Sequence, residues 1–202
     1  PCDCPCPCPC RIGTRAPNAP RPLVTADAPS RSTQVSLVPP PCDEFTTSEH
    51  AWRTGGAPSR TAAMFIPINN KTTIAELIQG IAVQSGNDAA ITVAEGVAGS
   101  VEGFNKLMAE EAARIGLKKS TFRNPTGLPD PEHLMTAREV AMLARFLISE
   151  YPEHYKVFSQ RQFNYRRHKF FNRNPLLGEE GLNVDGLKTG HTRAAGYGLV
   201  VS

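Results

Sequence analysis

Proline decides where this chain can fold. Eleven of its eighteen prolines precede Asp43, and the same stretch holds no lysine and no aromatic residue. Proline removes a backbone donor and clashes with the preceding turn, so no helix of any length fits there. The stretch also has too little large apolar surface to offset the entropy of ordering it. Residues 1–42 are therefore expected to be disordered, and residues 43–202 to form the folded part.

All six cysteines lie in that first stretch, at Cys2, Cys4, Cys6, Cys8, Cys10 and Cys42. A disulfide framework distributes its cysteines through the fold. A zinc site spaces them two to four residues apart and adds a second pair or histidines. Alternating Cys-Pro does neither, and no histidine occurs before His50. Neither a native metal nor any other cofactor is expected.

The net charge of +3 is spread along the chain. The densest basic run, Arg166-Arg167-His168-Lys169, lies between Tyr165 and Phe170-Phe171. It reads as the solvated face of a strand, and no nucleic-acid partner is expected. No apolar run is long enough to span a membrane. No signal peptide is visible, because no charged segment followed by an apolar one opens the chain.

After residue 44 the pattern is that of a folded domain. Thr73-Ile74-Ala75-Glu76 is a capping box, and Ile74, Leu77, Ile78 and Ile81 follow helical spacing. A polar break, Gln84 to Asp88, precedes a second helix over Ala89–Val97, apolar enough to be buried. A third begins at Gly99-Ser100, carries Phe104, Leu107, Met108, Ala112 and Ile115 on one face, and stops at Gly116. Asn124 to Pro131 is a loop. Thr136-Ala137-Arg138-Glu139 is another capping box, opening a helix that buries Val140, Leu143, Ala144, Leu147 and Ile148 and ends before Pro152. Strands follow, over Gln162–Phe171, Val184–Thr189 and Gly196–Val201. Helices first and strands last predict an α+β fold, with a helical cluster packed on an antiparallel sheet.

Two short elements point to chemistry. Ser85-Gly86-Asn87 sits between two apolar helices, where an ordinary capped turn is the competing reading. Lys188-Thr189-Gly190 offers a fixed positive charge, a hydroxyl donor and a residue without Cβ, a set that suits a carboxylate-ended peptide lying on a strand edge. Serine penicillin-recognising enzymes combine Ser-x-x-Lys with elements of these two types. Longer strings accompany them: Ala51-Trp52-Arg53-Thr54-Gly55-Gly56, Val83 to Ala89, Pro125 to Pro131, and Val184 to Thr192.

On these strings, residues 44–202 resemble the catalytic domain of the low-molecular-mass penicillin-binding proteins that are serine-type D-alanyl-D-alanine carboxypeptidases. The resemblance implies a β-lactamase/transpeptidase-like fold and removal of the terminal D-alanine from peptidoglycan stem pentapeptides through an acyl-enzyme. It implies that Ser85 relays a proton to the departing D-alanine. Asn87 would bond the substrate amide and help orient the catalytic lysine. Lys188 and Thr189 would bind the terminal carboxylate, with Gly190 and His191 completing that motif. It also implies a periplasmic or cell-envelope location, inhibition by β-lactams, and a C-terminal membrane-anchoring helix. There is no H-E-x-x-H of a zinc peptidase.

The nucleophile motif is the departure. No serine in the chain has a lysine three residues later, and the first lysine is Lys71. The motif is expected near residues 20–35, where the text carries no family resemblance. Losing such a nucleophile costs about 10⁶-fold in kcat in a serine protease series. Residues 1–42 are accordingly read as the product of a shifted frame or a misassigned start. The catalytic domain is expected to be incomplete at both ends and marginal in stability. A non-catalytic D-Ala-D-Ala or penicillin-binding pseudoenzyme and a non-functional fragment stay open beside the enzyme, and a class A β-lactamase is a weaker fourth reading.

Overall fold

The computed structural model describes residues 42–202. The expectations for residues 1–41, disorder and the reading of the Cys-Pro run among them, lie outside the described residues.

The first elements gather around one buried helix, which packs against its helical neighbours and the first strand. Strand β1 (Glu44–Thr46) pairs antiparallel with β2 (Lys71–Thr73), with Phe45 opposite Thr72. Between them lies α1 (Glu49–Gly55), started by the Ser48 hydroxyl, which accepts from the Ala51 N–H. Thr73 ends β2 and begins α2 (Ile74–Gln79). Its hydroxyl accepts from the Glu76 N–H and the Glu76 carboxylate accepts from the Thr73 N–H, so the expected capping box forms in full. The helix does not run on to Ser85 in α geometry. Residues Gly80–Gln84 widen into a π turn that ends on Ser85 in a left-handed conformation. Helix α3 (Asn87–Ala98) follows and is buried along most of its length. Helix α4 (Val101–Ile115) begins on the Ser100 hydroxyl and ends at left-handed Gly116, as its sequence predicts.

Helix α5 (Ala137–Glu150) differs from expectation at its start and along its face. Thr136 caps it by accepting from the Glu139 N–H. The Glu139 carboxylate does not reach back to close a capping box. It accepts from the Lys119 N–H at 2.8 Å and from the Ser120 hydroxyl, tying α5 to the loop after α4. Val140, Leu143, Ala144 and Leu147 are only half-buried and Ile148 is exposed. An open cleft between α5 and the last strand, lined by Ala144, Ile148, Val200 and Val201 among others, leaves that face partly uncovered.

Short α6 (Pro152–Tyr155) and a 3₁₀ turn, Lys156–Ser159, lead to the hairpin of β3 (Gln162–Tyr165) and β4 (His168–Phe171). The basic run therefore turns a corner where a continuous strand is expected. Arg166 takes a left-handed φ of 53° and its guanidinium bonds the Asn70 side chain at 2.8 Å. Two-residue hairpin turns favour Asn-Gly or Asp-Gly, and Arg-Arg carries no such signal. Finally β5 (Leu187–Thr192) pairs with β6 (Gly196–Val201).

The fold is α+β. Its antiparallel pairing is shared among three two-stranded units, with the helices gathered on them. The core joins Met64, Ile66, Leu77, Val83 and Ala89 to Phe163, Tyr165 and Phe170. The Tyr165 hydroxyl links the β3–β4 hairpin to β2 through Thr72 at 2.9 Å. Among the described residues no helix is long and apolar enough to cross a membrane.

Candidate active site

Ser85 stands where the π turn meets α3. Its φ of 62° and ψ of 38° are uncommon for a residue with a side chain. π turns and left-handed non-glycine residues collect at functional sites, because only surrounding structure can hold them. Here that structure is the irregular segment 61–66. The Asn87 N–H donates to the Ala62 carbonyl at 2.8 Å, and the Asn87 side-chain amide donates to the Thr61 hydroxyl at 2.9 Å. Thr61 in turn bonds the Ser59 hydroxyl at 2.7 Å. Asn87 is buried and fixed, while Ser85 keeps partial exposure. Helix α1 backs the turn closely: a Cβ on Gly55 would sit 2.5 Å from the Asp88 nitrogen. Only glycine lets the two backbones approach that far.

Lys188, Thr189, Gly190 and His191 lie on β5. Successive side chains leave a strand on opposite faces, so Lys188 and Gly190 share one face and Thr189 and His191 the other. A ligand that meets both Lys188 and Thr189 has to run along the strand's edge. One edge of β5 is taken by β6, and among the described residues no strand pairs with the other. A Cβ at Gly190 would meet nothing within 4 Å, so no packing inside the chain requires glycine there. The His191 ring packs on Tyr197 with centroids 4.1 Å apart.

Burial, and secondarily the charge of Arg173, lowers the Lys188 ammonium from the ordinary 10.5 to about 8. Nζ donates to the Thr189 carbonyl at 2.9 Å, and among the described residues it has no carboxylate partner. A half-buried cation beside a second cation attracts an anion more strongly than either would in water.

Residues that sequence reasoning missed hold this strand in place. The buried Asn174 amide donates to the Gly186 carbonyl at 2.8 Å. The Tyr155 hydroxyl bonds Asp185 at 3.0 Å and also Ser202. A Cβ on Gly186 would lie 2.4 Å from the Tyr155 hydroxyl oxygen, which explains the glycine in Val184-Asp185-Gly186-Leu187. Arg173 and Asn174 flank each other after β4, where no motif marked them.

The two halves belong to different elements. The 3₁₀ turn Lys156–Ser159 packs against both the π turn and β5 and so spans them. Among the described residues no hydrogen bond links Ser85 or Asn87 to Lys188. No group of three or more His, Cys, Asp or Glu side chains among them could hold a metal ion.

A family model described as D-alanyl-D-alanine carboxypeptidase matches residues 40–202. The chain belongs to the D-alanyl-D-alanine carboxypeptidase family. It is 40% identical over 160 residues to D-alanyl-D-alanine carboxypeptidase DacA of Haemophilus influenzae, covering 79% of this chain and 40% of that protein. It is 42% identical over 161 residues to DacC of Escherichia coli, with the same two coverages. Penicillin binding protein 5 of H. influenzae superposes with a TM-score of 0.76 at 38% identity, over 80% of this chain and 46% of that structure. A Streptomyces K15 DD-transpeptidase mutant, 20% identical, shares the fold at a TM-score of 0.73. The chain thus spans about 40% of the length of the curated relatives it matches. Within this carboxypeptidase family the expected α+β, transpeptidase-like fold is present in the part described.

Proposed function

We propose that this chain carries the proton-relay and carboxylate-binding portions of a serine-type D-Ala-D-Ala carboxypeptidase site, acting in peptidoglycan metabolism in the cell envelope. The observation that carries the reading is the pairing of a held, left-handed Ser85 and a fixed Asn87 with a half-buried Lys188 on an open strand edge. A peptide ending in D-Ala-D-Ala lies antiparallel along β5. Its terminal carboxylate meets Lys188 and the Thr189 hydroxyl, with Gly190 leaving room beside it. The Asn87 side chain bonds the amide preceding the scissile bond. The Ser85 hydroxyl hands a proton to the amine of the departing D-alanine. β-Lactams, whose carboxylate and amide mimic that end, occupy the same groups.

Acylation needs a nucleophile, and the chain has no Ser-x-x-Lys. Binding is therefore measured first. Calorimetric titration with an N-acylated peptide ending in D-Ala-D-Ala should give saturable binding that Lys188→Ala weakens about tenfold, as loss of a charged hydrogen bond does. A peptide ending in L-Ala-L-Ala should not bind. Equal binding of both peptides, or none of either, would sink the proposal. Incubation with a fluorescent penicillin, then denaturation and a gel, reads acylation separately.

A further inference from the structure

We propose that Asp88 is a positioning residue for the Ser85-Gly86-Asn87 turn. The inference rests on the reading of that turn as part of the ligand site. Asp88 is fully buried, at 0% exposure, and among the described residues no cation pairs with it. A carboxylate in that position is costly unless its oxygens are bonded. Both are. Oδ1 accepts from the Met64 N–H at 2.8 Å and from its neighbour Ala89 at 3.0 Å, and Oδ2 accepts from the Ile66 N–H at 3.0 Å.

The two upstream donors flank Phe65, whose φ of 61° is an outlier for a bulky side chain. Alternating backbone hands of this kind turn neighbouring N–H groups toward one anion. Asp88 supplies that anion from within the chain. The Phe65 ring is turned outward, 42% exposed and 5.1 Å from the His168 ring. A carboxylate on the first turn of α3 thus locks segment 64–66 against the turn that carries Ser85. Gly86 lies in the seam, where a Cβ would be 3.2 Å from both the Met64 nitrogen and Asp88 Oδ1. Further bonds, from Asn87 to Ala62 and from Gln84 to Ala63, continue the same seam. The carboxylate, three residues after the left-handed Ser85, thus holds the backbone on both sides of the strained Phe65.

Asp88→Asn tests this at nearly constant volume. Both oxygens already accept, so either orientation of the amide sets a donor against a donor. Leu117→Ala is the control, because Leu117 is buried after α4 and lies outside the core cluster that holds Met64 and Ile66. With both variants folded by circular dichroism, ¹⁵N-labelled chains are titrated with the D-Ala-D-Ala peptide. Asp88→Asn should move the amide resonances of Met64, Ile66, Ser85 and Asn87 and weaken the peptide about tenfold. Leu117→Ala should lower Tm yet keep affinity within about threefold. Wild-type affinity in Asp88→Asn, or equal losses in both variants, overturns the proposal. Should Asp88→Asn not fold, Asp88→Glu displaces the carboxylate by one methylene and is expected to give the same shifts and loss; unchanged affinity there overturns it as well. If the wild type binds no peptide, the functional reading fails by itself. Positioning is then judged on Ser85 and Asn87 alone, and unmoved resonances in Asp88→Asn overturn it.

Discussion

Single residues decide the electrostatics of the site, and Lys188 is the clearest. Its folded value of about 8 lies below the ordinary 10.5, so folding expels a proton between those values. The unfolded chain binds more protons there, and stability rises with pH across the window. Below pH 8 the whole cost of the buried charge is present. Lys188→Met should remove the rise: the difference between wild type and variant in denaturant midpoint shrinks from pH 8 to pH 10.5. A difference that does not change with pH would contradict the assignment. Ligand binding carries the opposite sign. Affinity for the D-Ala-D-Ala peptide should fall as pH climbs through about 8, as the ammonium is neutralised.

At the scale of elements, close approach and capping set the geometry. Helix α1 lies against the first turn of α3 because Gly55 presents no side chain. Gly55→Ala should destabilise by about 1–3 kcal/mol, an overpacking cost read from urea unfolding. Asn87 and Asp88 resonances should move with it, since the displaced backbone is their own. Helix α5 is anchored through Glu139, whose carboxyl the Ser120 hydroxyl holds below its ordinary value, with help from the Lys119 N–H. A lowered folded value contributes stability that is present above the ordinary carboxylate range and lost as pH falls through the folded value. Glu139→Gln should therefore lower the neutral-pH midpoint and flatten the acid-side decline. An unaltered acid limb would mean that the carboxylate contributes nothing.

Over the whole molecule, burial is uneven. The core lies between α2, α3 and the β3–β4 hairpin, whereas the β5–β6 hairpin buries only Leu187 and exposes Tyr197, Leu199 and Val201. Leu77→Ala should cost about 2–5 kcal/mol, the range for emptying a buried leucine site. Regions with few buried contacts open at lower free energy than the core. Amide exchange should be slowest in α3 and β3–β4 and distinctly faster in β5–β6. Equal protection across both hairpins would refute that division.

Sequence determined what is local. The capping box at Thr73, the Ser100 and Gly116 boundaries of α4, and the burial of α3 follow from short-range spacing that needs no partner. The motif strings around Ser85 and Lys188 also marked two candidate regions without a structure. Tertiary structure decided what depends on distant backbone. Glu139 looked like a capping residue but serves the Lys119–Ser120 loop, because that loop's N–H and hydroxyl take its carboxylate in place of the helix terminus. Arg166-Arg167 makes a turn without turn residues, fixed by Asn70 from across the fold. Asn174 and Tyr155 bear no motif, Asp88 lies in a motif string that gave it no role, and the roles of all three come from N–H, carbonyl and carboxylate groups far away along the chain. Such groups become partners only once the core has brought them together.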